Sequence, residues 1–298
     1  MSAEPVDYST CDNARELCRN DDKGDLPAPT LPRNARLPIN RCKLPAVILG
    51  SLTFQQYPTP LVLDGVAELH RDLFERLDRL KLAHQRAEVF RDYITVHFRL
   101  EHPEEIGFSE QGGKGRKYRV KANWMRVIRG WAFDPDGREA AVLKGWIESR
   151  FGLTPRHHVS ELHDPTSEAY RRYEQMRAEG LYGTNALESQ LDLVYAYSQY
   201  EFKRQQTPSH LWLHRGVNRI DDYEVLETGD SRRVLLLNNV SSFSRERERA
   251  GEFGDIILTA EIPVVKVLYH HELLPGVLQG EDEYLVIGGA YAVSEAVM

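Results

Sequence analysis

Apolar periodicity changes once along this chain of 298 residues, at Pro208, and that change limits what it can fold into. From Gly65 to about Arg204 apolar positions recur at helical spacing. Asp64 is placed to cap a helix with Val66, Leu69, Leu73, Leu77 and Leu80 on one face. A second stripe, Val89, Tyr93, Val96 and Leu100, stops before Pro103. Asp164-Pro165 is expected to open a third helix that Gly180 closes, and Asn185–Lys203 repeats the pattern through Leu187, Leu191, Val194 and Ser198. After Pro208 the runs are short and strand-like. Leu211–Arg215 alternates, Arg233–Leu237 reads as a buried strand, and Ile256–Ile262 and Val264–Leu268 flank Pro263, which belongs at an edge or a bulge. Tyr284–Ile287 is expected to end at Gly288-Gly289. Helices followed by strands predict an α+β fold. Its expected parts are a flexible, Pro-containing leader over 1–44, a mostly helical region over 45–207, and a mixed β-sheet core over 208–298.

Several function classes are excluded early. The net charge of -7 argues against a general nucleic-acid binder, which needs a basic excess. No apolar run approaches the roughly 20 residues that span a bilayer, and Met1–Thr10 lacks the regions of a signal peptide, so a cytoplasmic protein without a membrane span is expected. The three cysteines, Cys11, Cys18 and Cys42, lack metal-site spacing and read as free thiols. His157-His158 with Glu161 and His163 matches no ligand set, nor does His270-His271; they read as surface or capping histidines, and no metal is expected. No Gly-x-Gly-x-x-Gly joins a strand to a helix, and Gly112–Arg116 lacks the spacing of a phosphate loop. The segment 111–131 is basic, with seven Lys and Arg and no acid between Gln111 and Gly130, and with Trp124 and Trp131 among or beside them. It reads as a solvated face, as a docking surface for an acidic partner, or as extra contacts to phosphates.

Three pieces after Pro208 carry chemistry when taken together. Arg215-Gly216 ends a strand: a guanidinium there can bind a pyrophosphate bidentately, and a glycine admits a flat ring close to the backbone. Asn238–Ser244 follows an apolar strand with a string of short hydrogen-bonding groups. Gly280–Glu283 runs straight into Tyr284–Ile287, so that Glu281 and Glu283, two apart, project to one face of a strand. Two carboxylates on one face repel each other unless something uses them.

In that order, over roughly 208–290, these pieces resemble the Arg–Ser–Glu signature of the cholera-toxin-like ADP-ribosyltransferases. Arg215 matches the arginine, Ser242-Phe-Ser244 the Ser-Thr-Ser element with Phe243 in place of Thr, and Glu281-x-Glu283 the double glutamate of enzymes that modify arginine. The phenylalanine leaves the serine register at 241 or 242. Leu44–Gln55, Ala141–Gly152 and Arg245–Arg249 are similar to the bacterial dinitrogenase reductase ADP-ribosyltransferases, over most of the chain beyond the leader. The resemblance implies NAD as co-substrate and dinitrogenase reductase, the nitrogenase iron protein, as acceptor. One arginine of that protein would be modified and nitrogen fixation switched off, with a PII-type signalling protein as regulator. It also implies roles: Glu283 at the ribose 2′-hydroxyl, oriented by Ser242; Arg215 at the pyrophosphate; Gly216 at the nicotinamide amide; Asn239 at a phosphate or ribose; Phe253 stacked on nicotinamide; Glu281 aligning and deprotonating the acceptor arginine. An NAD glycohydrolase of the same fold and a non-catalytic interaction protein are the alternatives.

Overall fold

The structure, a computed structural model, describes residues 29–38, 40–100, 122–229, 232–277 and 282–297. Helices α1 (Ala46–Leu49), α2 (Leu52–Gln56), α3 (Val66–Leu69), α4 (Arg71–Asp78), α5 (Ala83–His97), α6 (Trp124–Phe133), α7 (Arg138–Phe151), α8 (Glu168–Leu181) and α9 (Leu187–Arg204) all precede Pro208. A small hairpin, β1 (His157–His158) and β2 (Ser160–Glu161), interrupts them. The main sheet lies wholly after Pro208: β3 (His210–Val217), β4 (Glu224–Thr228), β5 (Arg233–Ser244), β6 (Ile256–Pro263), β7 (Val267–His270) and β8 (Glu283–Val297), with helix α10 (Arg247–Gly251) between β5 and β6. The chain is therefore α+β, as the change of period implies. Every pairing in the sheet is antiparallel, however, where a mixed sheet was expected.

One long strand organises the sheet. The first part of β8 pairs with β5 on one edge and β7 on the other, and its last five residues pair with β6. β3 pairs along its whole length with β6 but meets β5 only at His214↔Ser244. Beyond that point β3 and β5 part like the tines of a fork. β4 covers β5 only over 233–236, so no strand among the described residues pairs with that edge of β5 between 237 and 243. A sheet edge left open between two tines is a place where backbone groups can meet a ligand.

The helices share a core with the sheet. One apolar cluster holds Trp146, Leu191 and Tyr195 from α7 and α9 together with Val240, Leu285 and Ile287 from β5 and β8. Trp146 and Phe151 meet edge-on at 5.6 Å, and Phe151 meets Tyr195 at 5.5 Å. Polar anchors fix α9 beneath β7: Gln199 Nε2 donates to the Val267 carbonyl at 2.9 Å, and Tyr195 OH to the Val265 carbonyl at 2.8 Å. Pro208 therefore divides the secondary structure, whereas the apolar packing runs across it.

Local departures from the sequence reading have identifiable causes. Gly65, in the left-handed region at φ 78°, starts α3, and Asp64 instead pairs with Lys43, so the expected cap is absent. The expected single helix breaks at His70, which leaves Leu69 exposed. In α5 the buried face is Arg86, Ala87, Phe90 and Ile94, while Val96 is exposed. The Arg86 guanidinium is buried because it binds both oxygens of Glu201 at 2.7 Å, so a charged residue marks the core side. Ser167, not Asp164-Pro165, caps α8, and Gly180 lies inside it. Gly288-Gly289 do not end β8. An added Cβ at Gly288 would lie 1.8 Å from the Asn238 carbonyl, where Asn238 and Asn239 bulge opposite it. His158 and His270 are buried, contrary to the surface reading.

Candidate active site

The fork brings together three of the four residues named as catalytic. Arg215, on the β3 tine, reaches across and donates from Nη1 to the Ser242 carbonyl at 2.7 Å and from Nε to Tyr223 OH at 3.2 Å. Ser242 lies on β5 directly opposite Leu285 of β8, and its hydroxyl donates to Glu283 Oε1 at 2.5 Å. Glu283 is buried, at 7% exposure, at the first residue of β8 and in register with Ser244. A hydrogen bond this short to a buried carboxyl group fixes its orientation. Ser242, and not Ser241, makes this bond.

The hydroxyl is held from its other side. Trp131, in the last turn of α6, donates its indole N–H to Ser242 Oγ at 2.8 Å. A relay Trp131→Ser242→Glu283 thus joins helix to sheet across 111 residues of sequence, and the sequence reading placed Trp131 only beside a basic segment. Replacing it by phenylalanine removes one donor while keeping an apolar ring. One hydrogen bond is worth about 0.5–1.5 kcal/mol net, so kcat should fall roughly fivefold, with thermal stability little changed. An unaltered kcat would show that the indole does not orient the serine.

A cavity of about 690 Å³ fills the fork, within the range of about 300–1,000 Å³ typical of ligand clefts. Near Arg215 its wall is Gly216, Ala250 and Phe253. A Cβ at Gly216 would fall 1.9 Å from the Ala250 carbonyl, so glycine is required there by the close approach of the segment after β5. Phe253 stands 62% exposed in this wall. Along β5 the lining includes Asn238, which donates to the His157 carbonyl at 2.8 Å, and then Lys144 and Asp136; Phe133, three residues before Asp136, lines the cleft too. The Lys144 ammonium is buried and donates to the Pro135 carbonyl at 2.8 Å and Asp136 Oδ1 at 3.2 Å, with His158 Nδ1 at 3.1 Å. Burial pushes its pKa down to about 8, against the pull of Asp136. Burial and the neighbouring Lys144 lower His158 to about 4, so it accepts as a neutral ring.

Other predicted residues fall differently. Asn239 does not line the cleft: its amide is buried and donates to the carbonyls of Lys144 at 2.8 Å and Leu153 at 3.0 Å. Its neighbour Asn238 takes the cleft position, because the bulge opposite Gly288 breaks the simple alternation. The paired glycines facing an Asn-Asn doublet were the available sequence signal. Glu281, Cys11, Cys18, the leader as far as residue 28 and the basic stretch as far as Lys121 lie outside the described residues. From that stretch Arg129 is described. It donates to the carbonyls of Val277 at 2.8 Å and Gly276 at 3.0 Å, while Arg91 donates to Pro275 at 2.5 Å. Two arginines of the helical region thus hold the loop that leads towards the double glutamate. Among the described residues no His, Cys, Asp and Glu cluster is arranged to hold a metal ion, and no helix is long and apolar enough to cross a membrane.

An arginine on one tine, a serine on the other that is bonded to the first glutamate of β8, and a cleft of this size between them are the arrangement that the Arg–Ser–Glu resemblance implies for an NAD-using ADP-ribosyltransferase. The dinitrogenase reductase ADP-ribosyltransferase (DRAT) family profile matches residues 39–295. The NAD(+)--dinitrogen-reductase ADP-D-ribosyltransferase of Rhodospirillum rubrum is 36% identical over 263 residues, which cover 87% of this chain and 95% of that protein. The chain belongs to the dinitrogenase reductase ADP-ribosyltransferase family. No solved structure matches it.

Proposed function

We propose that this protein transfers ADP-ribose from NAD to one arginine of dinitrogenase reductase, and that the fork between β3 and β5 is where NAD reacts. The observation that carries the reading is the Ser242–Glu283 hydrogen bond beside Arg215, in a chain of this family. Breaking the bond between nicotinamide and ribose develops positive charge on the ribose, as in glycoside hydrolysis. Glu283, oriented by Ser242, stabilises that charge through the 2′-hydroxyl. Arg215 neutralises the pyrophosphate, Gly216 backbone groups hold the carboxamide, and Phe253 stacks on the nicotinamide ring. Nicotinamide leaves neutral, and a guanidinium nitrogen of the acceptor forms the new bond to the ribose carbon.

The acceptor arginine is protonated at neutral pH and must lose a proton as that bond forms. Glu281 takes this proton, and the loop ahead of it, pinned by Arg91 and Arg129, faces the protein substrate. The modification inactivates dinitrogenase reductase and stops nitrogen fixation. The family resemblance supports a PII-type signalling protein as regulator and the cytoplasm as the place of action.

Glu281→Gln separates this reading from an NAD glycohydrolase. A positioned general base contributes about 10²–10⁴-fold, so transfer to arginine should fall by about 10² or more while slow NAD hydrolysis persists. Normal transfer by that variant, measured by mass of the modified acceptor, would show that Glu281 does not serve the acceptor.

A further inference from the structure

We infer that the end of the cleft remote from Phe253 is an adenosine subsite. Phe133 stacks on the purine there, and the Asp136 carboxylate receives the ribose hydroxyls, so that a nicotinamide dinucleotide carrying a 2′-phosphate is refused. The inference rests on the proposed use of the fork as the NAD site and assigns its polarity and its choice between the two dinucleotides.

The polarity follows from lengths. The reacting bond must lie beside Glu283, which pairs with Ser244 at the apex of the fork. On one side the wall is Gly216 with Arg249, Ala250, Glu252 and Phe253, a segment of little more than one helical turn. On the other the cleft follows β5 back to Asn238, six residues from Ser244, or about 20 Å of extended chain. Nicotinamide is a single ring, whereas the ADP portion carries a pyrophosphate, a second ribose and a purine. Only the longer arm accommodates it.

What stands at the end of that arm suits an adenosine. Of the exposed large apolar side chains among the described residues, Phe133 and Phe253 are the two that line the cleft, 92% and 62% exposed. A ring left so open at a ligand cleft is a stacking platform, and such stacking tolerates any purine. Three residues further on, Asp136 is held in place by Lys144 at 3.2 Å, with its side chain 35% exposed. The Lys144 ammonium is already occupied by the Pro135 carbonyl, Asp136 and His158, which leaves it no donor for a phosphate. The His157 ring stands 3.8 Å from the same Asp136 oxygen. Burial acts to raise the Asp136 carboxyl, but the Val159 N–H and the Lys144 charge outweigh it and keep it below its ordinary value. An ionised carboxylate accepts hydrogen bonds from a 2′-hydroxyl and repels a 2′-phosphate at the same place.

The test uses the full-length protein, titrated with ADP-ribose and separately with nicotinamide, together with transfer kinetics on NAD and NADP. Phe133→Ala, at an exposed position, should weaken ADP-ribose about tenfold and leave nicotinamide unchanged. Asp136→Asn, which keeps an oxygen for Lys144, should raise the ratio of kcat/KM for NADP over NAD by about tenfold or more, about 1.4 kcal/mol. Wild-type protein that binds no ADP-ribose would overturn the reading of the fork itself. ADP-ribose bound equally by wild type and Phe133→Ala, with the NADP ratio unmoved in Asp136→Asn, would overturn the adenosine subsite while the fork survives. Weakened nicotinamide binding in Phe133→Ala would reverse the polarity and overturn it too.

Discussion

Glu283→Gln should abolish ADP-ribosyl transfer and NAD hydrolysis together, because on the proposed mechanism both pass through the same positive charge on the ribose. Glutamine preserves the shape and the hydrogen bond from Ser242 but offers no negative charge. Losing one preorganised electrostatic contact costs about 10²–10³-fold in kcat, and a full charge at the reacting carbon belongs at or beyond the upper end. NAD affinity should change little, since the charge it answers is absent from the ground state. The variant should therefore bind NAD and fail to turn it over. Release of nicotinamide is the readout: a rate within tenfold of wild type would remove Glu283 from the chemistry. The buried Glu283 side chain and the 2.5 Å bond to Ser242 make the substitution a local one.

Arg215→Ala acts on binding instead. The guanidinium spans the fork to the Ser242 carbonyl and Tyr223 OH, and on the proposed reading it also holds the pyrophosphate. A hydrogen bond to a charged group is worth about 1.5–3 kcal/mol, so Kd for NAD should rise about tenfold to a hundredfold. Arg215→Lys should recover part of this, as a point charge without the bidentate fork. Calorimetric titration with NAD measures it directly, and a normal Kd in the alanine variant would break the pyrophosphate assignment.

The parts of this protein that could be read from its sequence are those where one physical rule dominates. The change of period at Pro208 separates helices from strands because a half-buried helix and a sheet need different spacing. Leu187, Leu191, Val194 and Ser198 all lie on the buried face of α9. Arg215, Ser242 and Glu283 meet because they stand on strands that the sheet brings together. Where two demands compete, the reading slips. The buried Arg86–Glu201 pair turns the face of α5 away from the one that counting apolar residues selects. The stretch Asn238–Ser244 resembles a polar turn, yet it is strand, since its hydrogen-bonding groups serve the cleft and the bulge. The Trp131 contact joins residues 111 apart and leaves no local pattern, so only the folded chain shows it.

The central claim is that this cleft passes ADP-ribose to a protein arginine. The measurement that meets it most directly is incubation of the wild-type protein with labelled NAD and dinitrogenase reductase, followed by mass spectrometry of both proteins. One ADP-ribose on a single arginine of dinitrogenase reductase, with nicotinamide released in equal amount, is the predicted result. Free ADP-ribose in solution with dinitrogenase reductase unlabelled would contradict it and make the protein an NAD glycohydrolase.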